Sequence, residues 1–368
     1  VTGDVPADVF LDLRAEHAEG PIWDALSARL WWVDIIGQAV HCSDPGVGTD
    51  TAWTTPWQPG GVVLDTHGRP VVAAPGGLVD LDTDTGAMTL RTAIEGDKPE
   101  NRANDVSVDS RGRCWLGTMA FDKRPGNAAL YLVDSGVVTC AVDGLTISNG
   151  PALDEAGGRL YLADTALSRV DVFDLDPASG ALTDRRPFVD LSAEGYWPDG
   201  MTVDAEGMLW VACGRAGAVH RYRPDGTLDG TVGVPTTNPT SVAFGGTDGA
   251  DLYITTSWFD LEPPSRAAQP LAGAIFTCRP GVTGAASNRY AGDPTDPSPT
   301  EKVAPYDPAD GALRSLRRPH EQAVAPRGRP ARRRGISPSG PDHRRRRRRR
   351  LDDRRLPRAH RCRPARAL

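Results

Sequence analysis

The sequence has no C-x-x-C pair. Its six cysteines (42, 114, 140, 213, 278 and 362) are scattered over 368 residues. That excludes a disulfide framework and predicts reduced, mostly buried thiols, as in a cytoplasmic protein. No stretch approaches 18 consecutive apolar residues, which excludes a membrane-spanning helix. The N-terminus lacks a basic start followed by an apolar run, so no secretory signal is expected and the expected location is cytoplasmic. Gly-x-Ser-x-Gly is missing, and no histidine stands in a triad-like setting, which argues against serine-hydrolase chemistry. Helical periodicity is nearly missing from residues 15 to 292.

Positive charge is scarce through most of the chain. Residues 1–300 hold 20 Lys and Arg against 41 Asp and Glu, and residues 301–368 hold 22 against 7. The sequence therefore has two compositional regimes. An acidic body argues against nucleic acid as a partner and suits hard cations and small polar substrates.

What the first regime does contain is short runs of Val, Leu, Trp and Tyr between Asp/Gly turns, an all-β pattern. The runs repeat. The first turns of successive strand pairs fall at Asp24, Asp65, Asp109, Asp154, Asp204 and Gly245, spaced by 41, 44, 45, 50 and 41 residues. Units of this length with about four strands each predict a six-bladed β-propeller over residues 1–292.

Five residues before each anchor stand Glu19, Gly60, Asn104, Asn149, Asp199 and Thr240. Inner strands of a propeller line its channel, so these positions form a ring around the axis. Glu19, Asn104, Asn149 and Asp199 carry strong oxygen donors in a confined place where they need partners. Buried water or turn capping would satisfy them, and so would a ligand. Glu19, Asn149 and Asp199 together suit one hard divalent cation, Ca²⁺, Mg²⁺ or Mn²⁺, with Zn²⁺ a poorer fit. Asp199 is also placed to act as a general base.

Other motifs read as structure. Asp80-Leu-Asp-Thr-Asp-Thr-Gly86 alternates acids like a calcium loop, but its glycine is one place late and Arg91 fills the twelfth position. It is read as the outer hairpin of the second blade. Trp23, Trp31, Trp32, Trp115 and Trp210 are read as packing; His17, near Glu19, could face the channel mouth, but a lone histidine is more often an ordinary surface residue.

The order Ala18-Glu-Gly-Pro-Ile-Trp-Asp24, Arg102-Ala-Asn-Asp105, Gly117-Thr-Met119, Ser148-Asn-Gly150, Pro198-Asp-Gly-Met201 and Leu209-Trp-Val-Ala212 resembles the senescence-marker-protein/gluconolactonase, or regucalcin-like, family. The resemblance covers nearly all of residues 8–292. It implies a six-bladed propeller with one axial divalent metal held by Glu19, Asn149 and Asp199. It also implies a sugar-lactone substrate bound by Arg102 and Asn104, with Asp105 beside them. The acidic side chain that follows Gly-Thr-Met-Ala in animal members is offset here onto Asp122, a further candidate for the sugar. The expected activity is hydrolysis of an aldonolactone to its acid, by a monomer or weak homo-oligomer. A calcium-binding regulatory propeller without turnover and a broader esterase stay open as alternatives.

Residues 293–368 are Pro-rich and then Arg-rich, with seven consecutive arginines from Arg344 to Arg350. Such a segment cannot bury a core. A nucleic-acid-binding arm is one reading. A read-through or frame-shifted end of a GC-rich coding sequence, forming no domain, is the favoured one.

Overall fold

The computed structural model describes residues 4–285 and 287–292; the Pro/Arg-rich tail lies outside the described residues. The strands form six separate sheets. Each is a four-stranded antiparallel meander starting at the axis, with inner strands Ala18–Asp24, Gly61–Leu64, Asn101–Val108, Ser148–Asp154, Trp197–Val203 and Pro239–Gly245. Each inner strand packs against the next, and the sixth packs against the first, which closes a six-bladed β-propeller.

Closure uses a strand that precedes the first repeat. Asp8–Leu11 pairs antiparallel with Ile275–Cys278 as the outer strand of blade 6. Asp4–Pro6 adds a parallel fifth strand to blade 5 through Thr231, Val232 and Gly233. The N-terminal segment thus ties the last two blades together and covers sheet edges that would otherwise be unpaired.

The apolar core is a set of six wedges between neighbouring blades. Val63, Val71 and Ile94 of blade 2 pack with Val106, Leu116 and Val133 of blade 3. Trp210 and Val219 of blade 5 meet Phe244, Ile254 and Phe276 of blade 6. Trp32, Trp115 and Trp210 are fully buried, as packing residues should be. Because apolar surface is spent between blades, the channel itself is left to polar side chains. Asp80–Gly86 forms the outer hairpin of blade 2, between Gly77–Leu81 and Met88–Ala93. The described cysteines are all free thiols, and no described helix is long and apolar enough to cross a membrane.

The repeated aspartates have a mechanical reason. Asp204 Oδ1 accepts the amides of Glu206 and Met208, and Oδ2 accepts Trp210 Nε1 and the Arg221 guanidinium. Asp109 repeats this pattern with Arg111, Arg113 and Trp115. Each carboxylate closes the tight turn leaving its inner strand. Asp204 and Arg221 are both sealed from solvent, at 0% and 1% side-chain exposure. Asp204→Ala leaves the Glu206 and Met208 amides and the Trp210 indole without their acceptor and takes one of three carboxylates from Arg221, which keeps Glu206 and Asp229. The change is expected to cost about 3 kcal/mol. Thermal denaturation checks this, and an unchanged midpoint would contradict it.

Candidate active site in the channel

Five of the six inner strands carry a β-bulge at the ring position. Register slips fall between Glu19 and Ile22, Ala103 and Val106, Asn149 and Ala152, Pro198 and Met201, and Pro239 and Ser241. A bulge re-aims a side chain. Here the same device recurs around one axis, which keeps the ring offset constant along the sequence. The glycine after Asn149 shows what the bulge requires. Gly150 has φ +48°, and a Cβ there would lie 2.7 Å from the Met201 nitrogen of the next blade. Gly60 supplies no side chain, leaving that side of the ring to the Ala103–Asn104 backbone pressed against it.

Asp105 takes the left-handed position without being glycine, at φ +59°. Its carboxylate accepts the amides of Val106 (3.0 Å) and Gly150 (2.6 Å). Both oxygens are thus committed to backbone, and Asp105 is a strut between blades 3 and 4 directly behind Asn149. Burial pushes its pKa up to about 6, against the pull of those two amides.

A chain of hydrogen bonds fixes the two ring amides. Asn104 Nδ2 donates to Ser148 O (2.8 Å) and to Asn149 Oδ1. Asn149 Nδ2 donates to Thr165 Oγ1 (2.7 Å), whose own hydrogen goes to Pro198 O (2.7 Å). Since the Thr165 hydroxyl spends its hydrogen on a carbonyl, it must accept from Asn149. That holds the Asn149 amide in one orientation, and its oxygen keeps a second lone pair.

The carboxylates stand in the opposite condition. Glu19 Oε2 accepts only its neighbour's amide, Gly20 N–H at 2.8 Å, among its hydrogen bonds to backbone. Burial, then Asp199 and Asp105, push the Glu19 pKa well above the usual carboxylate range. Burial and then the Asp105 charge push Asp199 up to about 8, and contact with Glu19 draws it partly back. Glu19 is buried, whereas Asp199 keeps a half-buried face. Arg102 is the nearby cation, and burial lowers its pKa to about 10 even with Glu19 and Asp199 opposing the loss. Two acids so placed cannot both stay charged at little cost; they call for a shared proton or a cation.

Two residues before each ring member stand His17, Gln58, Arg102, Ile147, Trp197 and Asn238. Alternation along an extended chain puts them on the same face, one step nearer the mouth, and all six are half-buried. Arg215 stacks on the Trp197 ring at 3.6 Å and donates its amide to Asn238 Oδ1. His17 is therefore part of a rim and not an ordinary surface residue. Asp122 is not brought to this rim. It is exposed in the turn after Cys114–Ala120, with its carboxylate on Arg124 Nε at 2.9 and 3.0 Å. Its neighbour Lys123 is exposed with φ +57°, and its charge is a small contribution that lowers the Asp199 pKa. Sequence reasoning missed Lys123 and Thr165.

Among the described residues, no three His, Cys, Asp or Glu side chains meet in a metal-binding cluster. The axial donors are two carboxylates and an amide, Glu19, Asp199 and Asn149. That donor set, with its excess negative charge and a fixed amide oxygen, fits a hard divalent cation.

A family model described as the SMP-30/Gluconolactonase/LRE-like region matches residues 17–258. The chain belongs to this family. The matched stretch contains every ring and rim position. Regucalcin of Xenopus laevis is 34% identical over 283 residues, 74% of this chain and 94% of that protein. A pentonolactonase of Haloferax volcanii is 33% identical over 279 residues, again 74% and 94%. Among solved structures, a calcium-binding protein, regucalcin, from Agrobacterium tumefaciens superposes with a TM-score of 0.75 at 29% identity. The match covers 79% of this chain and 99% of that one.

Proposed function

We propose that the channel ring hydrolyses a sugar lactone, an aldonolactone of the gluconolactone kind, to its open-chain acid. One observation carries this reading: a buried and a half-buried carboxylate that repel one another, Glu19 and Asp199, and an oriented amide oxygen line the channel with the half-buried Arg102 at its rim. Membership of a family named for gluconolactonase and similarity to a pentonolactonase support the substrate class.

Glu19, Asn149 and Asp199 would hold a divalent cation, which when bound polarises the lactone carbonyl as a Lewis acid. Asp199 takes a proton from the water that attacks the carbonyl carbon. The positive charge of Arg102 lies where it can stabilise the oxyanion as it develops. When the ring C–O bond breaks, the proton held on Asp199 passes to the departing ring oxygen, giving a hydroxy acid. Asn104 has spent both amide hydrogens, so toward a sugar hydroxyl it can only accept. Asp105 serves as a positioning residue behind Asn149, and Asp122 has no part in the step.

The regucalcin likeness favours a second reading, a calcium-binding propeller without turnover. That reading gives the half-buried Arg102, whose one hydrogen bond among the described residues goes to Ala103 O, no ligand to bind. Acid release from gluconolactone, xylonolactone and aryl acetates separates the readings. Turnover of the lactones well above the aryl acetates is expected. Cation binding without any turnover supports the calcium-binding reading, and equal turnover of all three a broad esterase.

Thr165→Val removes the acceptor that orients Asn149 and is expected to lower cation affinity about 10- to 100-fold. Titration calorimetry reads this directly, and an unchanged affinity would show that Thr165 does not orient the ligand.

A further inference from the structure

His17 sits two residues before Glu19 with its backbone pinned on both sides. Its amide donates to Asp34 Oδ1 (3.0 Å), and its carbonyl accepts from Ile35 (3.0 Å). The ring packs edge-on to Phe259, with centroids 6.4 Å apart at 86°.

The tautomer follows from what Ser257 does. Its Oγ lies 2.8 Å from His17 Nδ1, 3.0 Å from Glu16 O and 3.1 Å from the Phe259 amide nitrogen. Glu16 O can only accept and the Phe259 amide can only donate. The single hydroxyl hydrogen therefore goes to Glu16 O, and Ser257 Oγ accepts from both nitrogens. Only the Nδ1–H form of His17 makes all three contacts hydrogen bonds. Nε2 is left as a bare acceptor on the opposite edge of the ring.

His17 itself holds the rim position of blade 1, two residues before Glu19, and is half-buried. Arg102 holds the equivalent rim position two blades further round, and Lys123 follows the second strand of that same blade. Arg102 and Lys123 can only donate; the acceptors beside them are His17 Nε2 and the amide oxygens of Gln58 and Asn238, with Asn104 Oδ1 one level deeper. A polyhydroxylated substrate brings hydroxyl hydrogens that need acceptors at this level.

Resting on the lactonase reading, we infer that His17 Nε2 accepts a hydrogen bond from a substrate hydroxyl at the channel rim. His17 is then a specificity-determining residue that favours hydroxylated lactones over bare ones. Ser257 is its positioning residue.

The test compares gluconolactone with δ-valerolactone, which has the same ring size without hydroxyls. In His17→Phe the ratio of kcat/KM for gluconolactone over δ-valerolactone is expected to fall about tenfold, the worth of one hydrogen bond. Ser257→Ala frees Nδ1 and lets the proton move to Nε2, and is expected to lower the same ratio. It carries the test alone if His17→Phe does not fold. An unchanged ratio in the folded variants, whether both substrates are lost equally or neither is, overturns the inference alone. Wild-type protein that turns over neither lactone overturns the functional reading and the inference with it.

Discussion

Asp199→Ala is expected to lose at least about 10³-fold in kcat/KM for a sugar lactone while keeping its fold. A positioned general base is worth roughly 10²–10⁴-fold, and the same change deletes one of the two charged cation ligands. The fold should not suffer, because Asp199 is held against its own repulsion. Burial and Asp105 raise its pKa, and no backbone amide of the ring is spent on it in the way that Gly150 and Val106 are spent on Asp105. In the presence of a chelator the variant should melt no lower than wild type. Asp204, five residues on, is the control. Asp204→Ala should melt far lower, because that carboxylate is satisfied by two backbone amides, an indole and a guanidinium. Activity assays and melting curves on the two variants check the contrast. Wild-type turnover in Asp199→Ala would remove its assigned role.

Cation affinity is expected to climb by up to about tenfold per pH unit for each proton displaced, until the Glu19/Asp199 pair is fully ionised. The sign follows from the direction of the shifts. Both folded-state values are raised, Asp199 from 3.8 to about 8. Without a cation the folded chain therefore holds protons that the unfolded chain has released. The stability this contributes is fully present below the unfolded value near 4 and is lost as pH rises through the folded value near 8. The chelated protein should thus lose stability across that window, and Asp199→Asn should flatten the loss. A bound cation replaces the proton, so proton release on titration should accompany binding at neutral pH. Calorimetry in buffers of different ionisation enthalpy measures it, and binding without proton release would contradict the shared-proton picture.

The blades were legible because five of the six carry an aspartate that closes the turn after the inner strand, Asp24, Asp65, Asp109, Asp154 and Asp204, while the sixth has Gly245. In three of them, Asp65, Asp109 and Asp204, the carboxylate bonds amides two and four residues on and an arginine or indole beyond, which leaves a repeated pattern. The ring was legible for a related reason: a bulge at the same place in five blades preserves an offset of five residues. What the sequence hid depends on contacts made at long range or on unusual backbone. The closing strand Asp8–Leu11 lies before the first repeat and finds its partner through Ile275–Cys278. His17 looked like a surface residue because Ser257, which fixes its ring, is 240 positions away. The contacts of Asp105 were hidden because its left-handed backbone brings its oxygens to the Val106 and Gly150 amides, the second 45 residues away. Asp122 pairs with Arg124 in an exposed turn, a local contact that its place after Gly117-Thr-Met-Ala120 does not reveal. Thr165 gave no signal, since its role is to accept from an asparagine sixteen residues earlier.

The central claim is that Glu19, Asn149 and Asp199 form one cation-holding, lactone-hydrolysing ring. The most direct measurement is acid release from gluconolactone, followed at constant pH, with protein stripped of divalent cations and then recharged with Ca²⁺, Mg²⁺, Mn²⁺ or Zn²⁺. The account expects turnover to fall to the uncatalysed rate on stripping and to return with at least one of these ions. Lactone turnover that survives complete metal removal would contradict it.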